Sequence, residues 1–301
     1  MRISRKHMME RRVGLFPAGF DDDGVLFCNT SFGDYPKRIP DGSWDPWKDS
    51  ATGWMLLSYR KPVEASSSSP EYPAENAVDE DIRTIWSTES GDKERWFQVD
   101  LGEHCSVEAI QVNFAEFDCV PPSGISYQYT GPPTLRRTIE HGSCLQYELQ
   151  GSGDGTSWEV LADKSEAEED LPHDFIRLKG NRSFRFIRVV SHNMPFQGRF
   201  ALSGLRVFGC GQGQPPKAVN EFQACRLEPM TAKLSWQAIE GASGYNVRWG
   251  IAPDKLYSSW MVYAQSELEI GALTDGTEYW VAVDAFNENG VTEGRAQPIV
   301  Q

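Results

Sequence analysis

Short runs of alternating apolar and polar residues, each ended by a turn, are the feature that most constrains how this 301-residue chain folds. Clear examples are residues 96–101 (WFQVDL), 109–114 (AIQVNF) and 145–149 (LQYEL). A period of two residues places one set of side chains on one face of a β-strand, whereas an amphipathic helix needs a period of about 3.6 residues. The sequence therefore predicts an all-β protein whose strands are joined by tight turns.

The acidic charge balance of the chain limits the kinds of molecule that it can bind. The chain has 29 Lys and Arg residues against 43 Asp and Glu residues, a formal net charge of −14 at pH 7. Because this sign repels nucleic-acid phosphates and anionic lipid headgroups, we expect no nucleic-acid partner and no broad surface for anionic lipids. The sequence has no apolar run of about eighteen residues, so we also expect no membrane span.

The chain has six cysteines in 301 residues, too few for a disulfide scaffold, and the absence of a Cys-x-x-Cys pair and of a histidine at zinc spacing argues against a zinc site. They are Cys28, Cys105, Cys119, Cys144, Cys210 and Cys225. We expect buried thiols. A disulfide between Cys119 and Cys144 across a long loop stays open as an alternative.

Composition shifts divide the chain into segments 1–57 and 58–210, a Gly- and Pro-rich linker at 211–217, and segment 218–301. The first segment carries two short apolar runs around Asp21-Asp22-Asp23-Gly24, whose Asp-Gly step predicts a β-hairpin. The three aspartates are expected to be solvated turn formers. A lone hairpin buries too little apolar area to be stable, so this segment must lean on a partner that the sequence does not show.

Segment 218–301 has the pattern of a small sandwich. It places Trp236 on its second strand, Tyr245 on its third and the run 273–279 (LTDGTEY) before a later strand. These residues resemble a fibronectin type III domain. The resemblance implies an immunoglobulin-like sandwich in which Trp236 lies between the sheets and the Tyr279 hydroxyl bonds upstream backbone. Such domains usually act as spacers.

Segment 58–210 carries a series of motifs in order. They are residues 65–67 (ASS), 74–86 (AENAVDEDIRTIW), 96–102 (WFQVDLG), 154–158 (DGTSW) and 184–188 (FRFIR). Together they resemble a discoidin, or coagulation factor 5/8 C-type, domain, whose fold is shared with family 32 carbohydrate-binding modules. The resemblance implies a discoidin-like jelly-roll β-sandwich that holds its ligand among loops at one end.

Segment 1–57 has a resemblance of its own. Residues 11–17 (RRVGLFP), the hairpin, and residues 29–36 (NTSFGDYP) resemble the end of a glycoside hydrolase family 43-type propeller. The resemblance implies a C-terminal propeller remnant, with the catalytic carboxylates on earlier blades that this sequence lacks. We therefore expect no catalysis by this chain alone, the catalytic propeller of a parent enzyme as a partner, and an extracellular or cell-envelope location.

One loop of the discoidin-like segment is a candidate metal site. Its oxygen ligands would come from Asn76, Asp79, Asp81 and Thr84, a spacing that suits a hard cation. Discoidin domains often hold a structural calcium at this place. The family usually adds a glutamate near the last strand, where this sequence has Gly204, so one charged ligand is missing. A self-capped Asx turn is the alternative.

Loops at one end of the predicted discoidin barrel supply the candidate sugar-binding residues, which are Tyr72, Phe117, His192, Asn193, Phe196 and Arg199. Sugar recognition needs an aromatic ring that stacks on the apolar face of the sugar and a few fixed hydrogen-bonding groups. The alternative is that these loops pack against the propeller. The tryptophans predicted to be core residues are Trp86, Trp96, Trp158 and Trp236.

The sequence thus predicts a non-catalytic accessory region that binds polysaccharide or oligosaccharide for a glycoside hydrolase. Such a region keeps an enzyme near its substrate by raising effective concentration. Two alternatives stay open: a purely structural scaffold packed on the propeller, and an adhesive discoidin module that binds protein or lipid. The acidic neighbours of Tyr72 and Phe117 disfavour an anionic membrane.

Overall fold

The computed structural model describes residues 16–39, 41–119, 144–168 and 171–300. These residues form two compact units. Unit 1 is Leu56–Gly209, and unit 2 combines residues 16–55 with residues 210–300. Strands dominate both units, so the all-β prediction is confirmed. No helix of the described residues has the length and apolar character needed to cross a bilayer.

The strands follow one another in this order: β1 (Ala18–Phe20), β2 (Leu26–Cys28), β3 (Met55–Leu56), β4 (Val63–Ala65), β5 (Trp86–Ser87), β6 (Trp96–Phe114), β7 (Gln146–Ser152), β8 (Glu159–Asp163), β9 (His173–Asn193), β10 (Ala201–Cys210), β11 (Phe222–Glu228), β12 (Thr231–Trp236), β13 (Gly244–Gly250), β14 (Ser258–Tyr263), β15 (Glu267–Ile270), β16 (Trp280–Asn287), β17 (Gly290–Thr292) and β18 (Gln297–Pro298). Two short 3-10 helices, Ala74–Ala77 and Pro195–Gln197, lie in loops of unit 1.

Unit 1 is built on one sheet with the order β3-β10-β6-β9-β7-β8, to which β4 adds on β6 and β5 adds on β10. The long strands β6 and β9 pair antiparallel and bend at two register shifts. The alternating residues of β6 point into the core as predicted, with Phe97 and Val99 fully buried. Trp86 is also fully buried, with ring centroids 4.8 Å from Phe97 and 4.9 Å from Phe200. Burial of such side chains stabilises the fold by about 1.5–3 kcal/mol each.

The C-terminal part of unit 2 is a pair of sheets with one shared core. One sheet has the order β11-β12-β15, and the other has the order β14-β13-β16-β17 with β18 on β16. Trp236 is buried in this core with its ring centroid 5.1 Å from that of Tyr245. The backbone N–H of Thr274 donates to the Tyr279 hydroxyl at 3.2 Å, so this tyrosine bonds upstream backbone as predicted.

The predicted hairpin is present as β1 and β2, and its turn is closed by Asp21. The Asp21 Oδ1 atom accepts the backbone N–H groups of Asp23 and Val25 at 3.0 and 2.8 Å. The first strand lies at Ala18–Phe20, later than the apolar run 12–16, most of which falls outside the described residues. Asp21 departs from the expectation of a solvated turn former, because its side chain is only 11% exposed and pairs with Lys255 at 3.1 Å.

Residues 16–55, called here the hairpin segment, pack against the C-terminal sandwich of the same chain. Phe27 stacks on Tyr257 at 4.9 Å between ring centroids, and Phe32 packs edge-on against Phe286 at 5.2 Å. The expectation that this segment leans on something outside the sequence is therefore corrected. The reason is that the sandwich offers aromatic rings from β14 and β16 and the loop before β14, which a local pattern cannot reveal.

No disulfide joins any of the cysteines, all of which lie in the described residues. The bridge between Cys119 and Cys144 that the sequence left open is not formed. Burial holds for Cys105, Cys119 and Cys144, whereas Cys28, Cys210 and Cys225 are exposed thiols.

Candidate functional site

Two of the candidate sugar-binding residues, Tyr72 and Phe117, form an aromatic pair. The Tyr72 and Phe117 rings lie edge to face, with centroids 4.5 Å apart and an interplanar angle of 61°. Both rings are half-buried against a small apolar cluster of Ile85, Ala115 and Ala201. The structure therefore brings together two loops that are 45 positions apart in sequence and leaves part of each ring open to solvent.

Arg199 completes this cluster through its backbone and its guanidinium group. It forms an isolated antiparallel bridge with Phe117, and its backbone N–H donates to the Phe117 carbonyl at 3.0 Å. The guanidinium carbon lies 5.5 Å from the centroid of the Phe117 ring, and Nε donates to Asp118 Oδ2 at 3.0 Å. Arginine has five N–H donors, so the Nη groups keep donor capacity for a ligand beyond this ion pair.

The loops of this cluster hold three residues in the left-handed backbone region, where residues other than glycine are strained. The φ angles are 54° at Asp118, 53° at Phe196 and 57° at Gln197. Each such residue costs about 1–3 kcal/mol and persists only where the surroundings impose it, which is common at ligand clamps. The next residue is Gly198. A larger residue would be crowded there, because a Cβ atom at this position would lie 2.7 Å from Cys119 Sγ. This strained turn carries Phe196, three positions before Arg199 in sequence.

His192 and Asn193 make their described contacts elsewhere. The His192 Nε2 atom lies 3.4 Å from Glu148 Oε1, and the Asn193 side-chain amide donates to the Cys144 carbonyl at 2.8 Å. These contacts direct the His192 side chain toward β7 and the Asn193 side chain toward the residues just before β7. The structure therefore joins Tyr72, Phe117 and Arg199, and it gives His192 and Asn193 structural partners.

The candidate metal loop is held by its own hydrogen bonds. The Thr84 hydroxyl donates to both carboxylate oxygens of Asp79, at 3.1 and 2.8 Å, and the Asp81 backbone N–H also donates to Asp79. Asn76 donates its side-chain amide to the Ile85 carbonyl at 2.9 Å. These bonds match the self-capped Asx turn that the sequence analysis kept as the alternative.

The Asp81 carboxylate of this loop forms an ion pair with the Arg83 guanidinium group. Arg83 donates Nε and Nη2 to the two carboxylate oxygens of Asp81 at 2.9 and 2.7 Å, and these bonds lower the Asp81 pKa to about 2. No group of three or more His, Cys, Asp and Glu side chains in the described ranges is placed to hold a metal ion. The Thr84 hydroxyl and the Arg83 guanidinium thus hold the carboxylates of Asp79 and Asp81, and a calcium ion at this loop stays a prediction from the resemblance.

Sequence reasoning missed an aromatic and cationic surface on the sheet of unit 1. The Arg188 guanidinium carbon lies 3.7 Å from the centroid of the Trp158 ring and 5.0 Å from that of the Trp96 ring. Both tryptophans are half-buried, so the prediction that they are core residues is wrong, whereas it holds for Trp86 and Trp236. Trp158 directly precedes β8, which is the last strand in the order of this sheet, and no local sequence signal marks that position.

Comparison with known proteins supports the discoidin resemblance in part. The F5/8 type C domain family matches residues 62–131, which is less than half of the chain. A search of curated proteins finds no match to this chain.

Several solved structures are similar to about half of this chain. CpGH89CBM32-6 of Clostridium perfringens has 20% sequence identity, covers 52% of this chain and 99% of its own, and gives a TM-score of 0.38. Chitosan-binding module 1 from a chitosanase/glucanase of Paenibacillus sp. IK-5 has 20% identity, the same two coverages and a TM-score of 0.39. CpGH89CBM32-4 of Clostridium perfringens, solved with GlcNAc-α-1,4-galactose, has 13% identity, covers 53% of this chain and 97% of its own, and gives a TM-score of 0.39.

Proposed function

We propose that unit 1 binds carbohydrate through the loop site formed by Tyr72, Phe117 and Arg199. The observation that carries the proposal is the half-open aromatic pair with a guanidinium group beside it. An aromatic face stacks on the apolar side of a sugar ring, and an arginine fork can donate to two neighbouring hydroxyls. The F5/8 type C match over residues 62–131 supports the proposal, because discoidin folds hold ligands among these loops.

The wider proposal is that this chain is a non-catalytic accessory region of a polysaccharide-degrading enzyme. It keeps the resemblance of residues 1–57 to a family 43-type propeller remnant and that of residues 218–301 to a fibronectin type III spacer. An extracellular or cell-envelope location belongs to the same proposal. In such an enzyme the loop site would raise the local concentration of glycan near the catalytic domain.

Glycan binding by single variants tests the loop site. We expect a glycan array of plant and host oligosaccharides to give ligands for the full chain, and calorimetry to show that Phe117→Ala or Arg199→Ala weakens binding about tenfold or more. Trp158→Ala is the matched control, because it removes an aromatic ring from the sheet surface. A flat array contradicts the proposal, and loss of binding in Trp158→Ala alone moves the site to that surface.

Lipid binding is the alternative to glycan binding, and vesicle sedimentation tests it. Asp118 lies beside the aromatic pair and is 56% exposed, and a carboxylate there opposes an anionic bilayer. We expect no sedimentation of the chain with phosphatidylserine vesicles. Sedimentation that Phe117→Ala abolishes would replace the glycan proposal with an adhesive one.

Calcium binding stays a prediction from the resemblance. Thermal unfolding in calcium chloride and in EDTA tests it. A higher Tm in calcium supports the ion, and equal values support the Asx turn.

A further inference from the structure

Unit 2 contains a cavity of about 220 Å³ between the hairpin segment and the sandwich. Its walls come from residues 29–55 on one side and from β13, β16 and the residues that follow them on the other. All the lining residues belong to the same compact unit. The cavity therefore exists only because the two sequence-distant parts of unit 2 fold together.

Aromatic rings form the apolar wall of this cavity, and neighbouring rings fix two of them. Trp47 packs edge-on against Phe27 and Tyr257, each at 5.9 Å between centroids. Phe32 is fixed by Phe286 at 5.2 Å, and Trp54 also lines the cavity. Rings held in this way are preorganised, so they lose little conformational entropy when a ligand stacks on them.

One lining residue, Asn246, carries a buried polar atom that has no partner. Asn246 is 1% exposed, and its Oδ1 atom has no hydrogen-bond partner among the described residues. Its Nδ2 atom donates to Asp284 Oδ2 at 3.2 Å, which fixes the amide orientation. An unsatisfied buried acceptor costs about 1–3 kcal/mol, so its presence in a cavity wall points to an absent donor.

Some of the other polar side chains in the cavity wall have all their partners within the protein, and others keep hydrogen-bond donors that a ligand can use. Arg248 gives Nε and Nη2 to the two oxygens of Asp284 at 2.6 and 2.7 Å, so this buried pair is satisfied. Lys37 donates to the Ser31 carbonyl at 2.6 Å, and an ammonium group has two further donors. Burial lowers the Lys37 pKa, with the nearby Asp34 carboxylate opposing the effect. An acceptor group in the cavity would stabilise the charged amine.

We propose that this cavity is a second ligand site, which takes a single hydroxyl-rich ring such as a monosaccharide unit. A cavity of about 220 Å³ suits a small ligand, and a single six-membered sugar ring with its hydroxyls is of that size class. A sugar hydroxyl donates to Asn246 Oδ1 and another accepts from Lys37 Nζ. The apolar face of the ring lies on Trp47 or Trp54. Sugars combine donors, acceptors and an apolar face, as this wall requires.

This site is independent of the loop site in unit 1. It uses none of the residues Tyr72, Phe117 or Arg199, and it belongs to the other compact unit. The chain would then hold two separate saccharide contacts, so that a polymer could engage both with a gain in avidity.

NMR of the tryptophan indole groups in the full chain tests the site. The ten tryptophans are labelled with nitrogen-15 and assigned by single Trp→Phe variants. The probes are D-xylose, L-arabinose, D-galactose and D-glucuronate, added separately. We expect at least one of them to shift the indole signals of Trp47 and Trp54. The buried Trp86 and the 61% exposed Trp260 are internal controls and should stay in place.

Variants of the wall supply the second measurement. Lys37→Met keeps the aliphatic stem and removes the ammonium, and we expect about tenfold weaker binding of the shifting sugar. Trp54→Ala should weaken it similarly. The matched controls are Lys217→Met, which removes an exposed lysine outside the cavity, and Trp260→Ala, and both should leave the affinity unchanged.

The outcomes separate this proposal from the loop site. Indole shifts that persist in the Phe117→Ala/Arg199→Ala double variant support a separate cavity site, even if the loop site binds nothing. Shifts with glucuronate alone support it too, and assign Lys37 to a carboxylate. Absence of shifts at Trp47 and Trp54 with all four sugars overturns it. Affinity unchanged by both Lys37→Met and Trp54→Ala, in chains with native circular dichroism, also overturns it.

Discussion

At the scale of single residues, Asp21 shows how one side chain serves both a turn and a long-range contact. Its Oδ1 atom closes the hairpin turn, and its Oδ2 atom accepts from the Tyr257 hydroxyl at 2.8 Å and from Lys255. The backbone N–H of Val25 is the main reason that the Asp21 pKa falls from 3.8 to about 2, with Tyr257 and Lys255 adding to it. The charged form is therefore favoured by folding.

The first prediction concerns acid unfolding. A carboxyl whose pKa is lowered by folding stabilises the native state above its unfolded pKa, and this stabilisation is lost as the pH falls through the folded pKa. We expect Asp21→Asn to lower the Tm of unit 2 above pH 3.8, and the gap to wild type to close toward about pH 2. Calorimetry across this range measures it.

The control for Asp21→Asn is Asp22→Asn, which changes the exposed neighbour in the same turn. Its Tm should follow wild type at every pH. A gap for Asp21→Asn that does not depend on pH would mean that turn geometry, rather than the charge, stabilises the contact.

At the scale of secondary-structure elements, β10 and β6 approach so closely that one position excludes a side chain. A Cβ on Gly209 would collide with the backbone carbonyl oxygen of Ser106, and Val107 is also within contact distance. The approach is between two backbones, so no rotamer change can relieve it. The sequence shows a glycine at the end of a strand and gives no sign of this requirement.

We therefore expect Gly209→Ala to destabilise unit 1 by roughly 3 kcal/mol or more, because a strand must move to admit the methyl group. Urea unfolding followed by near-ultraviolet circular dichroism measures the loss. Gly271→Ala is the control, since a Cβ there meets no atom within 4 Å and its backbone is not left-handed. Equal stability of the two variants would show that β10 adjusts freely.

The loop site was predicted in part at this same scale. The sequence put forward Tyr72, Phe117 and Arg199 as candidates because aromatic and polar residues in turns are visible as composition, and the structure places the three side chains together. The sequence could not show that His192 and Asn193 contact Glu148 and Cys144, because these contacts are set by the pairing of β9 with β7, and sugar binding by the two residues stays a prediction. It also misplaced Trp96 and Trp158, since residue type favours the core and only the sheet decides which face is covered.

At the scale of the whole molecule, the two compact units do not follow the order of the chain. The described residues of unit 1 all lie between Leu56 and Gly209, whereas unit 2 takes residues 16–55 from before this range and residues 210–300 from after it. The stability of the C-terminal sandwich therefore depends on aromatic contacts with residues more than 200 positions away. The sequence pattern by itself predicts residues 218–301 as a separate domain.

We expect Phe27→Ala to destabilise unit 2 by about 2 kcal/mol, because it removes the ring that stacks on Tyr257. Hydrogen exchange measured by mass spectrometry should show faster exchange in β13 and β14 and no change in β6 and β9. Phe20→Ala is the matched control, since Phe20 belongs to the same hairpin and is 70% exposed. Equal effects of both variants, or faster exchange in β6, would contradict the dependence.

The sequence by itself determined the strands, the turns and the similarity of residues 62–131 to the F5/8 type C domain family, because alternation, Asp-Gly turns and short motifs are local properties of the chain. Only the tertiary structure decided where the hairpin segment packs, which rings stay half-open and that a cavity lies behind residues 29–55. The physical reason is sequence distance: the Thr30 and Ser259 hydroxyls bond at 2.8 Å across 229 positions, and no local pattern encodes such a contact.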